Sequence, residues 1–248
     1  MKSRVSVQHG PRPAHIALNA QLLSLAADYR SAGISGYIYN LLRRLPEAGA
    51  GYRFTAFAGE ERWQPPAGME LARTRWPIQR PAGRILWEQL AQPWELARRR
   101  ADLLHALAYV APAAWTGPTV VTVLDLSFVL YPERFRPLNR LYLREFTRLS
   151  ARRARRVIAI SDQTRRDAVR VLGLEPAKVQ TVYCGVDAAF QPQSATQVEE
   201  FRRRQGLPAR FILFVGTLEP RKNIAGLLEA YARLRACLLY TSPSPRDS

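Results

Sequence analysis

The chain has 248 residues, of which 47% are hydrophobic and 23% charged, a balance typical of a soluble globular protein with one large domain or one and a half ordinary ones. Its formal net charge of +17 predicts long-range attraction to anionic partners such as nucleic acid, acidic lipid or phosphorylated substrates. Two cysteines, Cys184 and Cys237, exclude a disulfide framework and lack the spacing of a zinc site, which fits the cytoplasm.

Short apolar runs alternate with amphipathic helical patterns, as in the βαβ units of a parallel sheet covered on both faces. Strands are predicted at 15–20, 52–58, 101–107, 119–124, 156–161, 179–184 and 211–217. Helices are predicted at 37–45, 138–156, 162–172 and 197–205, and from Asn223 onward. Ser161 is a candidate N-cap and Gly173 a candidate stop for the helix at 162–172. The predicted fold class is α/β, with Rossmann-like parallel sheets.

Two apolar stretches resemble targeting segments but do not predict export or membrane insertion. The stretch 16–27 follows a basic start, yet polar residues dilute it below the hydrophobicity of a signal peptide. The stretch 103–124 lacks charged residues, but His105, Pro112 and Pro118 interrupt it, whereas a spanning helix needs about 20 mostly apolar residues. We therefore expect a cytoplasmic protein.

The helix predicted over 138–156 carries an apolar side and a basic stripe. The predicted apolar side consists of Leu138, Leu141, Tyr142 and Leu149. Arginines recur at every fourth position, at Arg140, Arg144, Arg148 and Arg152. Such a surface binds anionic lipid, which would place the protein peripherally at the inner face of the membrane. The alternative is a solvated outer face whose apolar residues belong to the core. No recognisable nucleic-acid-binding motif appears, so nucleic acid is not an expected partner.

Composition also predicts where the domains begin and end. Between 188 and 210, Pro, Gln and charged residues replace the βα rhythm, which is typical of a linker. The predicted organisation is an amino-terminal extension, a Rossmann-like domain, a linker, the start of a second domain and a tail, at 1–13, 14–188, 189–209, 210–236 and 237–248. One βα unit cannot bury both faces of a sheet, so we expect an incomplete second domain. The Ser/Pro-rich tail is expected to be disordered and translated from foreign, adapter-derived DNA.

A candidate anion site lies in the stretch 214–236, which passes from a predicted strand through a turn into a helix. A helix that starts near Asn223 has unpaired backbone N–H groups and a positive dipole end at the carboxyl edge of the sheet. Gly216 allows close approach to the backbone, Arg221 supplies a planar fork, and Lys222 supplies a point charge. The pattern predicts a diphosphate site, although it is neither a Walker P-loop nor G-x-G-x-x-G. The alternative is an ordinary solvated basic loop.

The same stretch, VGTLEPRKNIAGLLEAY, resembles the start of the carboxyl-terminal domain in glycosyltransferase family 4. Further segments resemble the family in order, particularly its mannosyltransferase-like members: LWEQL (86–90), ADLLHALAYVAP (101–112), VTVLDLSFVLYPE (121–133), VIAISDQTRRDAV (157–169) and VYCGVDAAFQP (182–192). The resemblance covers roughly residues 14–236. It implies GT-B architecture, in which two Rossmann-like domains face each other.

The resemblance also implies an activity. Family enzymes transfer a sugar from a nucleoside-diphosphate donor with retention at the anomeric carbon and without an obligatory metal or other cofactor. Here the resemblance implies transfer of a hexose, such as mannose, to a saccharide or lipid-linked acceptor. Arg221 and Lys222 match the positions that hold the donor diphosphate, where cations stabilise the charge that develops on the leaving group. The family's paired glutamates for sugar and ribose have no counterpart in this chain, so we expect negligible transfer by the chain alone.

Three further positions match family site residues, with one departure. Gly33 and Gly36, in GISGY (33–37), resemble the glycine-bearing loop that approaches phosphate or acceptor; a plain turn is the alternative. Asp125 matches the second residue of the family's His-Asp pair, but Leu124 replaces the histidine and cannot donate a hydrogen bond. Three explanations compete for Leu124: a subfamily that works without the imidazole, a weakened or inactive enzyme, or a sequence error.

His105 matches another family histidine at the end of a strand. The resemblance implies that His105 lies in the catalytic cleft. The alternative is a structural histidine whose hydrogen bonds are satisfied.

A different function also remains open for the whole chain. Leu124 and the charge of +17 are compatible with a noncatalytic basic module that binds anionic membrane or nucleic acid.

Overall fold

The computed structural model describes residues 12–26, 33–74, 76–78, 80–216 and 222–240. The chain divides into two compact units, Met1–Gly185 and Val186–Ser248. The first unit contains a seven-stranded parallel sheet with helices on its faces. In the second unit the described residues form two helices, Ala195–Arg204 and Ile224–Tyr240. The second helix includes residues 237–240, for which the predicted disorder is therefore wrong.

The strands and helices follow one another in βα order through the first unit. The strands are β1 (His15–Asn19), β2 (Arg53–Phe57), β3 (Met69–Ala72), β4 (Leu103–Ala106), β5 (Thr119–Val123), β6 (Arg156–Ala159) and β7 (Val179–Thr181). The helices are α1 (Ile34–Ala48), α2 (Pro81–Leu86), α3 (Gln92–Arg98), α4 (Ser127–Leu130), α5 (Pro137–Arg153), α6 (Asp162–Leu172), α7 (Ala195–Arg204) and α8 (Ile224–Tyr240). A π-helical turn at Trp87–Ala91 joins α2 to α3.

The sheet has the order β3-β2-β1-β4-β5-β6-β7, and every pair of neighbours is parallel. The predicted α/β fold class is confirmed. Because the order reverses between β1 and β4, the connections that leave these strands pass to opposite faces and open a crevice at their carboxyl ends. In open α/β sheets ligands bind at such a switch point.

Apolar side chains cover both faces of the sheet. The core on the α1 face includes Leu18, Ile38, Leu42, Phe54 and Ala56. The core on the opposite face includes Leu96, Leu104, Val121, Val123 and Val157. Full burial of one such side chain stabilises the fold by about 1.5–3 kcal/mol. Burial on both faces also explains why the strands read as nearly continuous apolar runs.

Six of the predicted strands are confirmed, each one to three residues shorter than the sequence suggested. The strand β3 was missed. It has four residues, Met-Glu-Leu-Ala, none of them β-branched or aromatic, so its propensity for strand is low. It forms because hydrogen bonds to β2 place it at the edge of the sheet.

The strand predicted over 211–217 is wrong for the part that the structure describes, since residues 211–216 form no strand. Phe211, Ile212, Leu213 and Val215 are all exposed there. A strand exists through hydrogen bonds to a neighbour, and no segment among the described residues pairs with this one. Its apolar, β-branched composition therefore has no sheet to join.

The apolar side predicted for the helix at 138–156 is wrong for its three leucines, whereas Tyr142 packs against the core as predicted. In α5, Leu138, Leu141 and Leu149 are exposed by 83%, 51% and 40%. The helix instead buries small side chains, Thr147, Ser150 and Ala151. Ser150 accepts a hydrogen bond from the Ala111 backbone N–H at 2.9 Å, a close approach that a larger side chain would prevent.

The helix at 162–172 is confirmed together with both of its ends. Ser161 caps α6, since its hydroxyl accepts from the Thr164 backbone N–H at 3.1 Å. Gly173 ends the helix with a φ of 64°, a conformation that favours glycine.

The first helix begins at Ile34, earlier than predicted, so Gly36 lies inside α1 rather than before it. Within the described part of the chain no helix is both long and apolar enough to cross a bilayer.

Candidate active site at the carboxyl edge of the sheet

The amino terminus of α1, the first helix after β1 in the chain, lies at the switch-point crevice. Gly33 is the N-cap residue of α1. Its φ is 58°, a backbone conformation that residues other than glycine rarely adopt. The N–H groups of the first turn have no partner within the helix and carry the positive end of its dipole. This geometry suits an anion or a hydroxyl oxygen. The predicted phosphate or acceptor role of Gly33 and Gly36 stays a prediction.

A buried serine holds the loop after β1 against this helix terminus. Ser35 is 1% exposed, and its hydroxyl donates to the Ser24 carbonyl oxygen at 2.8 Å. The same hydroxyl accepts from the Ser24 N–H at 2.8 Å. These two bonds fix Ser24 relative to the first turn of α1.

His105 lies at the crevice as the penultimate residue of β4 and takes part in a small polar network. Its Nε2 atom is 2.9 Å from the Thr122 hydroxyl, which is 3.3 Å from the Tyr37 hydroxyl. The network joins β4, β5 and the first turn of α1. Burial lowers the pKa of His105 to about 4, so the imidazole is neutral near pH 7. A neutral imidazole can donate or accept one hydrogen bond at each nitrogen, but it supplies no charge to a phosphate.

Asp125 follows β5 and is exposed. Its carboxylate accepts from the Ser127 N–H at 3.0 Å and from the Ser127 hydroxyl at 2.8 Å, so it supports the start of α4. The preceding Leu124 is buried, and its carbonyl oxygen accepts from the Thr164 hydroxyl at 3.2 Å. The structure thus gives Asp125 and His105 separate partners. The catalytic role predicted for both residues stays a prediction.

A buried carboxyl group near this edge was not singled out in the sequence. Glu88, in the π-helical turn, accepts from the Asn19 amide at 2.7 Å and from the Tyr142 hydroxyl at 3.3 Å. Burial raises the pKa of Glu88. Single π-helical turns occur frequently at functional sites. The signal was a single acidic residue within LWEQL, next to Trp87.

The exposed surface of α5 combines the predicted arginines with the leucines that the core leaves out. Arg144, Arg148 and Arg152 are exposed, and Arg140 is half-buried. Arg144 pairs with Glu145 at 2.7 Å. The Arg152 Nε atom donates to the carbonyl oxygen of Leu172 at 3.3 Å, so this arginine also stabilises the end of α6.

The predicted diphosphate site lies in the second unit. Lys222 is exposed and lies two residues before Ile224, the first residue of α8. Gly216 is also exposed. Arg221 lies outside the described residues. The helix begins where the sequence predicted it, and the binding of a donor diphosphate stays a prediction.

Comparison with known proteins gives a family match over most of the first unit. The model of "Glycosyltransferase Family 4" matches residues 31–190. The chain is 27% identical to the O-antigen chain mannosyltransferase B of Escherichia coli over 145 residues, which are 58% of this chain and 38% of that protein. It is 41% identical to a D-inositol 3-phosphate glycosyltransferase of Catenulispora acidiphila over 86 residues, 34% of this chain and 19% of that protein. The chain therefore matches well under two thirds of these relatives' length.

Solved structures share the fold at low sequence identity. WaaG, a glycosyltransferase involved in lipopolysaccharide biosynthesis, matches with a TM-score of 0.58 and 16% identity, over 87% of this chain and 58% of that one. Anabaena HepE, crystallised with UDP and glucose, matches with a TM-score of 0.53 and 18% identity, over 89% of this chain and 58% of that one. The family model covers more than half of the sequence. The chain belongs to Glycosyltransferase Family 4.

Proposed function

We propose that this chain forms the acceptor-side domain and the start of the donor-side domain of a retaining hexosyltransferase. The donor is a nucleoside-diphosphate sugar, the transferred hexose is mannose, and the acceptor is a saccharide or a lipid-linked saccharide of a polysaccharide or glycoconjugate. The observation that carries the proposal is the family match over residues 31–190. A relative named as a mannosyltransferase and a fold neighbour crystallised with UDP and glucose support the sugar and the donor class.

In the proposed reaction the acceptor hydroxyl attacks the anomeric carbon on the face from which the nucleoside diphosphate departs. The new glycosidic bond forms as the bond to the phosphate oxygen breaks, and the acceptor proton passes to that oxygen. Arg221, Lys222 and the amino terminus of α8 stabilise the growing negative charge, so that no metal or other cofactor is required. The amino terminus of α1 and the neutral His105 line the acceptor side.

A transfer assay tests this proposal. We would extend the chain after Ala236 with the carboxyl-terminal domain of the E. coli O-antigen chain mannosyltransferase B, and supply GDP-mannose, UDP-glucose and mannose oligosaccharides. We expect the folded chimera to transfer mannose and the 248-residue chain to show negligible turnover. A folded chimera that transfers no sugar from any donor would contradict the proposal. Robust turnover by the shorter chain would contradict the expected division of the site.

We further propose that α5 attaches the protein peripherally to the anionic inner face of the membrane. Leu138 and Leu141 are exposed on the same helix as Arg144 and Arg148, an arrangement that suits the boundary between headgroups and acyl chains. This observation supports lipid contact over the solvated outer face, since the core does not use these leucines.

Sedimentation with phosphatidylglycerol vesicles tests membrane attachment. Each arginine near an anionic surface contributes about 1 kcal/mol, so the double change Arg144→Gln and Arg148→Gln should weaken binding roughly 30-fold at low salt. The matched control is the double change Arg203→Gln and Arg204→Gln, which removes two exposed arginines from α7 and should have little effect. Rising salt should release the unchanged protein. Equal effects of the two sets of substitutions would rule out a specific role for α5.

A further inference from the structure

A cleft lined by three tryptophans opens beside the switch-point crevice. Its volume is about 280 Å³, close to the lower end of the ~300–1,000 Å³ typical of small-molecule sites. It is bounded by the last residues of β2 and β3 and by the helical segment that contains Trp87 and Trp94. Its lining includes Arg73, Thr74, Trp76, Trp87, Trp94 and Glu95. We name it the tryptophan cleft.

Two of the three indole rings that line the tryptophan cleft are exposed. Trp94 is 62% exposed and Trp76 is 41% exposed, while Trp87 is buried with its ring 5.6 Å from that of Phe57. Exposed rings on a cavity wall forgo a hydrophobic stabilisation of about 25 cal/mol per Å² that burial would provide. Exposed aromatic surface that lines a cavity is characteristic of a ligand-binding groove.

Charged groups at the rim of the tryptophan cleft are held in position by other parts of the protein. The Glu95 carboxylate accepts from Arg98 at 2.9 Å and from Arg99 at 3.1 Å, which leaves further lone pairs available. The Arg73 guanidinium donates to the carbonyl oxygens of Glu61 and Trp63 at 3.1 and 3.3 Å. The rim therefore offers an acceptor and a donor whose positions are set before binding.

We propose that the tryptophan cleft binds a pyranose ring of a neutral saccharide. A pyranose has a face of C–H groups, which packs on the electron-rich face of an indole, and an edge of hydroxyl groups. The hydroxyl groups can donate to the Glu95 carboxylate and accept from the Arg73 guanidinium. A nucleotide also carries a flat ring, so GDP is the competing ligand in the binding test.

The position of the tryptophan cleft assigns a role to the bound sugar, and this step rests on the proposed transferase function. In the sheet, β2 and β3 lie one and two strand spacings from β1, or about 5 and 10 Å. The cleft is therefore beside the crevice and not within it. It would hold a sugar residue of the acceptor chain that is displaced from the reacting hydroxyl, which favours oligosaccharide acceptors over single sugars.

Direct binding to the unmodified 248-residue chain tests the tryptophan cleft without donor or turnover. We would titrate mannotriose, maltotriose and GDP and follow binding by calorimetry and by ligand-observed NMR. A trisaccharide should bind at millimolar concentrations, and Trp94→Ala should weaken it about five- to tenfold, or ~1–1.4 kcal/mol. Trp94→Phe should retain binding within about twofold, because the aromatic face remains.

The matched control is Tyr52→Ala, which removes a ring of similar exposure, 53%. Tyr52 lies at the amino ends of the strands, away from the cleft at their carboxyl ends, so binding should be unchanged. No saturable binding of either trisaccharide, or equal weakening by Tyr52→Ala, would overturn the proposal. GDP binding or vesicle binding that Trp94→Ala abolishes, without saccharide binding, would overturn it as well. A failed transfer assay with intact saccharide binding would contradict the transferase function and leave the cleft assignment standing.

Discussion

Replacing both Arg221 and Lys222 by alanine in the chimera that continues after Ala236 should lower kcat/KM for sugar transfer by roughly 10²–10³-fold. Loss of one positioned group that stabilises developing charge typically has an effect of this size. The two cations precede α8, whose amino terminus adds a positive dipole end. The loss should appear mainly in kcat, because the charge on the departing diphosphate is largest in the transition state. Steady-state kinetics with GDP-mannose measures both constants.

A matched pair of substitutions controls for the loss of positive charge. Arg233 and Arg235 are exposed in the same helix, farther from its amino terminus. Changing both to alanine removes two charges, as the first double change does, and should alter kcat/KM by less than about twofold, since surface charges away from the site act weakly. If the two double variants lose activity equally, net charge explains the effect. If Arg221 and Lys222 can be removed without loss, they do not hold the donor diphosphate.

Changing Glu88 to alanine should lower the free energy of unfolding by about 2–4 kcal/mol. The substitution leaves the Asn19 amide without its acceptor at 2.7 Å and also removes the acceptor of Tyr142. Glu88→Gln is the matched variant, since it keeps the volume and an acceptor oxygen. Urea denaturation followed by circular dichroism measures each free energy.

The pH dependence of the same variants reports the ionisation of Glu88. Burial raises the pKa of Glu88 above its ordinary value of 4.5, so the folded state holds the proton more tightly than the unfolded state. The contribution to stability is therefore complete below pH 4.5 and is lost as the pH rises through the folded-state pKa. Glu88→Gln cannot ionise and should gain stability relative to the unchanged protein as the pH rises. Parallel pH profiles for the two proteins would show that burial does not control this carboxyl group.

Features set by neighbours along the chain could be predicted from the sequence. Ser161 caps α6 through an atom three residues away, and Gly173 ends the same helix through its own backbone conformation. The apolar runs of the buried strands, and hence the α/β class, follow from short-range periodicity. The family resemblance was readable for the same reason, because its motifs are local stretches such as GISGY and VGTLEPRKN.

Features set by distant parts of the chain required the tertiary structure. The strand β3 exists through its pairing with β2, and the apolar run at 211–216 remains without a strand partner among the described residues. A helical stripe shows which residues share a face but not which face meets the core, so the exposed leucines of α5 were assigned wrongly. Glu88 meets Asn19 and Tyr142 across 69 and 54 positions, and the tryptophan cleft gathers residues from two strand ends and two helical segments. Local sequence carries propensity and caps, whereas burial and long-range hydrogen bonds depend on which segments fold against each other.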